Sequence, residues 1–158
     1  MNSRARFRMA TALTTSVASC AWADRLPKAL ETRPPRIDTT REKNMEGTKG
    51  LIAALSFPKG EPRLQKPFDV IVCLKATQKS EMEPSFVSSL VEKIDMKVVM
   101  PEHAHGMLVA PERQNPRGTC LVYKGLRFHM AGWWRFEFRS AVNNAEVKVT
   151  FDADVPAP

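Results

Sequence analysis

From Leu51 onward the chain is a series of short apolar runs separated by turn residues. Phe68, Val70, Val72 and Leu74 recur at every second position, and so do Ile94, Met96, Val98 and Met100. Side chains two apart share one face of a strand, so each run reads as a strand with one face buried. Leu51 to Phe57 is an earlier run, ended by Pro58-Lys59-Gly60. Met107 to Ala110 reads as a short fourth strand stopped by Pro111. Cys120 to Met130 follows the turn Asn115-Pro116-Arg117-Gly118 as one or two strands, with a bulge or bend expected at Gly125. Trp134 to Arg139 alternates aromatic with charged residues, and Val147 to Phe151 follows a turn at Asn143-Asn144. Between the second and third strands, Phe86, Val87, Leu90 and Val91 after Pro84 predict one or two turns of helix. About seven strands in roughly 100 residues predict an all-β fold. The expected form is an immunoglobulin-like antiparallel β-sandwich over residues 51–158, preceded by a signal peptide and a disordered tether.

The residues before Leu51 are patterned differently. Residues 1–23 read as a signal peptide: Arg4, Arg6 and Arg8 precede a moderately apolar stretch, Met9 to Ala18. That stretch is too short and too polar to span a bilayer. Two processing sites compete. Ala21-Trp22-Ala23 would release a soluble protein beginning at Asp24, whereas Val17-Ala18-Ser19-Cys20 resembles a lipobox. The second reading makes 1–19 a lipoprotein signal and Cys20 a lipid anchor. Both predict an exported protein, periplasmic or lipid-anchored to the envelope. Residues 24–50 hold Pro27, Pro34, Pro35 and many charges but few large apolar side chains. Such a stretch buries too little surface to offset its ordering entropy, so a flexible tether is expected.

Composition excludes some functions. The net charge is +7, and setting aside Arg4, Arg6 and Arg8 lowers it to +4. The remaining charges are scattered, with no basic stripe interleaved with aromatics, so no nucleic-acid partner is expected. No nucleophile stands in a recognisable arrangement with a histidine, and no glycine loop of phosphate-cradling form occurs. An enzyme is therefore not expected. Cys73 and Cys120 point outward by alternation. They can bridge if their strands are neighbours in matching register. They form no C-x-x-C and no zinc spacing.

Two segments stand out: Met100-Pro101-Glu102-His103-x-His105-Gly106-Met107 and Gly125-Leu126-x-Phe128-His129-Met130-x-Gly132-x-Trp134. Together they resemble the bacterial YtkA-like domain family, related to the FixH-like group, over roughly residues 51–155. The resemblance implies an exported immunoglobulin-like domain with no established enzymatic activity. FixH-like proteins are associated with assembly of copper-containing respiratory oxidases, so it also implies copper. The chain departs from FixH in lacking its membrane helix, and Gly118-Thr119-Cys120-Leu121 stands where a plainer strand is expected.

The residues themselves bear on copper. Each of the three histidines lies within three residues of a methionine. His103 and His105 are two apart, so on extended backbone their rings point the same way. Thioether and imidazole suit Cu(I), and imidazole suits Cu(II). The candidate donors are His103, His105, His129, Met100, Met107 and Met130, with Glu102 orienting an imidazole from behind. Packing is the competing reading. Met100 and Met130 fall on inward faces, and methionine fills irregular gaps well. Pro101 and Gly106 would shape a sharp connection, fixed by histidines bonding to backbone carbonyls. Trp134 reads as core and Trp133 as an outward contact residue. The two functional expectations are a copper-binding domain supporting metalloprotein assembly, and an interaction module docking on another cell-envelope protein.

Overall fold

The computed structural model describes residues 30–158 apart from Lys79, Glu81, Asn143 and Asn144. The expected signal peptide, Cys20, the two candidate processing sites and the turn expected at Asn143-Asn144 lie outside the described residues. In chain order the elements are β1 (Glu42–Asn44), β2 (Leu51–Ser56), β3 (Pro67–Ala76), α1 (Pro84–Lys93), β4 (Asp95–Met100), β5 (His105–Gly106), β6 (Glu112–Arg113), β7 (Cys120–Arg127), β8 (Gly132–Val142) and β9 (Ala145–Val155). They form two antiparallel sheets, ordered β1-β2-β3-β7-β6 and β5-β4-β8-β9. The sheets pack face to face as an all-β sandwich.

Alternation decides what lies between them. Phe68, Val70, Val72 and Leu74 of β3 are buried, as are Met96, Val98 and Met100 of β4. From β8 come Trp134, Phe136 and Phe138, and from β9 Val147, Val149, Phe151, Ala153 and Val155. Aromatic rings fill one end of this core. Phe68 lies 4.7 Å from Phe128, and Phe128 lies 4.8 Å from Trp134, between centroids. The expected bulge is present: Val70 pairs with Tyr123 but Phe68 pairs with Leu126, so Lys124 and Gly125 together face Asp69. Gly125 takes a positive φ of 73° there, and its N–H donates to Asp69 Oδ1 at 3.3 Å. Cys73 and Cys120 are directly paired across β3 and β7 and joined by a disulfide.

The six long strands lie at the apolar and alternating runs, with β8 and β9 longer than expected and β7 ending at Arg127 rather than Met130, and three very short strands were not expected. Met107 to Ala110 is not a strand. β5 belongs to one sheet and β6 to the other, so residues 107–111 must cross between them and cannot pair with either. α1 is longer than one or two turns, because Val87, Leu90 and Val91 all reach the core.

The expected tether enters the fold well before Leu51. β1 pairs with β2, and Met45 is buried in the core. Glu46 and Lys148 exchange main-chain hydrogen bonds of 2.8 and 3.2 Å, which fastens this segment to β9. Gly47 follows with φ 82°, and a methyl group there would overlap the Glu146 carbonyl oxygen. We expect Gly47→Ala to cost about 2 kcal/mol or more, from left-handed strain plus that clash. Urea unfolding measures it, and a loss under about 0.5 kcal/mol would mean the segment does not dock.

Ser140 carries on the inward series of β8, and its buried Oγ has no hydrogen-bond partner among the described residues. A hydroxyl taken from water without a partner destabilises. Ser140→Ala is therefore expected to gain about 1 kcal/mol. Calorimetry would show a rise of a few degrees in the unfolding midpoint, and a fall would contradict an orphaned hydroxyl.

Candidate functional site

The register defines one end of the sandwich. Pro67 pairs with Arg127, Gly132 with Val155, and Val99 with Arg135. The β4–β5 hairpin and the β7–β8 connection therefore meet at this end. The first carries His103 and His105 and the second carries His129.

The hairpin is tight. His103 N–H donates to the Met100 carbonyl at 3.1 Å, and Ala104 adopts φ 51°. Left-handed backbone at a residue with a Cβ costs about 1–2 kcal/mol, so the turn stores strain. His103 thus sits in a turn rather than on the extended backbone expected from its spacing, and only His105 lies in a strand. The rings still gather. The His103 and His105 centroids are 5.7 Å apart, and those of His105 and His129 are 5.2 Å apart. Trp134 packs edge-on against the last two, at 6.0 Å from His105 and 5.4 Å from His129. Trp134 is itself fixed by Nε1–H donating to the Met130 carbonyl at 3.0 Å.

The three imidazoles differ in their surroundings. His103 is exposed. His105 Nδ1 lies 3.1 Å from the Gly106 carbonyl, so that nitrogen is the donor and Nε2 keeps its lone pair. His129 Nδ1 is buried and has no partner among the described residues. Burial lowers the His129 pKa below its ordinary value, and the neighbouring His105 lowers it further. Its ring is neutral near pH 7, the form that binds metal ions.

Spacing and orientation say different things about an ion. With metal–nitrogen bonds of about 2 Å, two rings sharing an ion have centroids at most about 6 Å apart. Both neighbouring pairs meet that limit. Yet no three His, Cys, Asp or Glu side chains among the described residues are set to hold one ion. The ring planes stand at 28° and 36° to one another, and χ2 of histidine is a broad torsion about which a ring turns in place. Two neighbouring ring pairs lie close enough to share an ion, and His129 Nδ1 is buried with no partner among the described residues.

The methionines divide. Met100 is 1% exposed, and its methyl group packs against Gly132. It serves the core. Met107 is half-buried against the core. Met130 is 38% exposed rather than inward, because Phe128 is the last core residue before the chain crosses to the other sheet. Glu102 makes no hydrogen bond to an imidazole among the described residues; its Oε2 lies near Gly132.

Trp133 departs from expectation. Alternation turns it outward, but it is only 2% exposed. The Arg135 guanidinium lies 4.7 Å from its ring centroid, and its Nε1–H donates to Asp152 at 2.8 Å. Arg135 is held by Asp152 at 2.9 Å and Glu31 at 2.6 Å, while Arg33 pairs with Asp154 at 2.6 Å. The segment around Glu31–Arg33 therefore covers the outer face. No sequence signal foretold this cover, because its ions come from residues a hundred positions apart. The exposed large apolar residues among those described are Leu30, Leu108, Val109 and Met130.

Comparisons of the chain with protein-family models, with curated proteins and with solved structures found no match.

Proposed function

We propose that this is an exported, non-enzymatic β-sandwich domain that binds copper through His103, His105 and His129 in support of metalloprotein assembly. The observation that carries it is the gathering of three imidazoles from two distant segments, with His129 Nδ1 buried and without a partner among the described residues. A buried polar atom without a partner asks for an ion, a water or a ligand group. Bound copper would contribute its affinity for a metal acceptor, or one-electron chemistry. The chain's part is to supply imidazoles and, from Met107 or Met130, a thioether suited to Cu(I). Trp134 braces two of the rings from the core side.

A second reading is favoured by other observations. The rings are near parallel as they stand, and Leu108 and Val109 are 77% and 67% exposed in the connection that follows His105. On that reading the domain docks on another cell-envelope protein, and the histidines stiffen the turn. Titration of the purified protein with Cu(I) and with Cu(II) separates the two. One-to-one binding that disappears in a His103→Ala/His105→Ala variant supports copper handling. No binding by the wild type overturns it.

A further inference from the structure

A large groove in the described structure lies apart from the histidines. It is a groove of about 890 Å³ between the segment at Thr39 and Arg41, the loop from Lys59 to Lys66, and the end of β9 from Ala153 to Pro156. Four cations line it, Arg41, Lys59, Arg63 and Lys66, against two carboxylates, Glu61 and Asp154, the second of them paired with Arg33. Two are already engaged. Arg41 pairs with Glu61 at 2.7 Å, and Lys59 pairs with Asp69 at 2.9 Å. Lys59 thereby holds the Asp69 carboxyl below the usual carboxylate range. Arg63 and Lys66 make no ion pair among the described residues, and both are exposed. The loop that carries them is anchored, since Gln65 N–H donates to the Phe128 carbonyl at 2.8 Å.

One wall of the groove is a strand edge. β9 is the last strand of its sheet. Lys148 exchanges both of its main-chain bonds with Glu46, so its N–H and C=O point away from β8. In an antiparallel strand that direction recurs at every second residue, here Thr150, Asp152 and Asp154. The Asp152 carbonyl accepts from Arg41 Nη1 at 3.2 Å. The main-chain groups of Asp154 have no partner among the described residues. The open part of this edge is thus its short end at Asp154, and an open strand end is a template for another extended chain.

We infer that this groove receives an extended acidic segment of a partner protein, which pairs by main chain with the end of β9 and by carboxylates with Arg63 and Lys66. Charge selects that occupant. The chain's own residues 1–29 hold Arg4, Arg6, Arg8, Arg25 and Lys28 against Asp24 alone. A second copy brings a net charge of +7. Neither complements an excess of cations.

The test uses the full chain without copper, so that its outcome is independent of the histidines. A fluorescently labelled peptide of alternating Glu and Val is titrated by anisotropy, beside its Lys-Val counterpart and a version N-methylated at alternate residues. The acidic peptide should bind, with affinity falling as salt rises, and the lysine peptide should not. Arg63→Glu/Lys66→Glu, at exposed positions that leave the fold intact, should weaken binding about tenfold or more. N-methylation should weaken it as well. Absence of binding, equal binding of both peptides, or an affinity unchanged by the double variant or by N-methylation would overturn the inference. So would binding of phosphatidylglycerol vesicles without binding of the acidic peptide, which would make the groove a membrane contact.

Discussion

Replacing Cys73 and Cys120 together with alanine is expected to lower the unfolding free energy by about 4 kcal/mol. The bridge closes a loop with a sequence separation of 47, and cross-linking removes loop-closure entropy from the unfolded chain. Without it the unfolded ensemble explores more arrangements, while β3 and β7 still pair through their ladder. Urea unfolding of the double variant, compared with the oxidised wild type, measures the loss. The bridge sits where β7 begins, whereas His129 follows its end. Eight residues of strand, β7 from Cys120 to Arg127, put about 25 Å between the two. Any copper affinity should therefore be unchanged in the folded double variant. A stability within about 1 kcal/mol of wild type would show that the ladder alone fixes this pairing.

The legibility of the chain follows the burial of its strands. β3, β4 and β9 each bury one face and β8 alternates inward aromatics with charged residues, so the pattern locates them. The bulge was marked by Gly125, because few other residues tolerate the backbone it requires. β1 left no such mark. Glu42, Lys43 and Asn44 include no large apolar residue, and they form a strand because β2 offers a free edge and Met45 follows into the core. The cysteine pair was legible only conditionally: outward alternation was visible, and neighbouring register was not.

The candidate site divides along the same line. The two histidine segments are conspicuous in the sequence, and their meeting follows from β4 and β8 being paired neighbours. The positive φ of Ala104 is not encoded by any turn residue type, so the ring stack of His103 and His105 could not be drawn from spacing alone. Alternation assigned Trp133 its face correctly and its exposure wrongly. Exposure depends on what covers a face, and Glu31 and Arg33 come from a stretch with no periodic pattern. The groove is illegible for a related reason. Its cations come from separate elements and read as scattered surface charge until the fold assembles them.

Copper binding in His129→Ala tests the central claim most directly. His129 comes from a different segment than His103 and His105, so a site built by the fold needs it, whereas a local motif on the hairpin does not. Ligand loss is expected to exceed the effect of losing a supporting group, which is about 10–100-fold. Titration of wild type and His129→Ala with Cu(I) and Cu(II), with circular dichroism to confirm that both are folded, gives the answer. The account predicts one-to-one binding by the wild type and a loss of at least about 100-fold in the variant. Equal affinities, or no binding by the wild type, would contradict it.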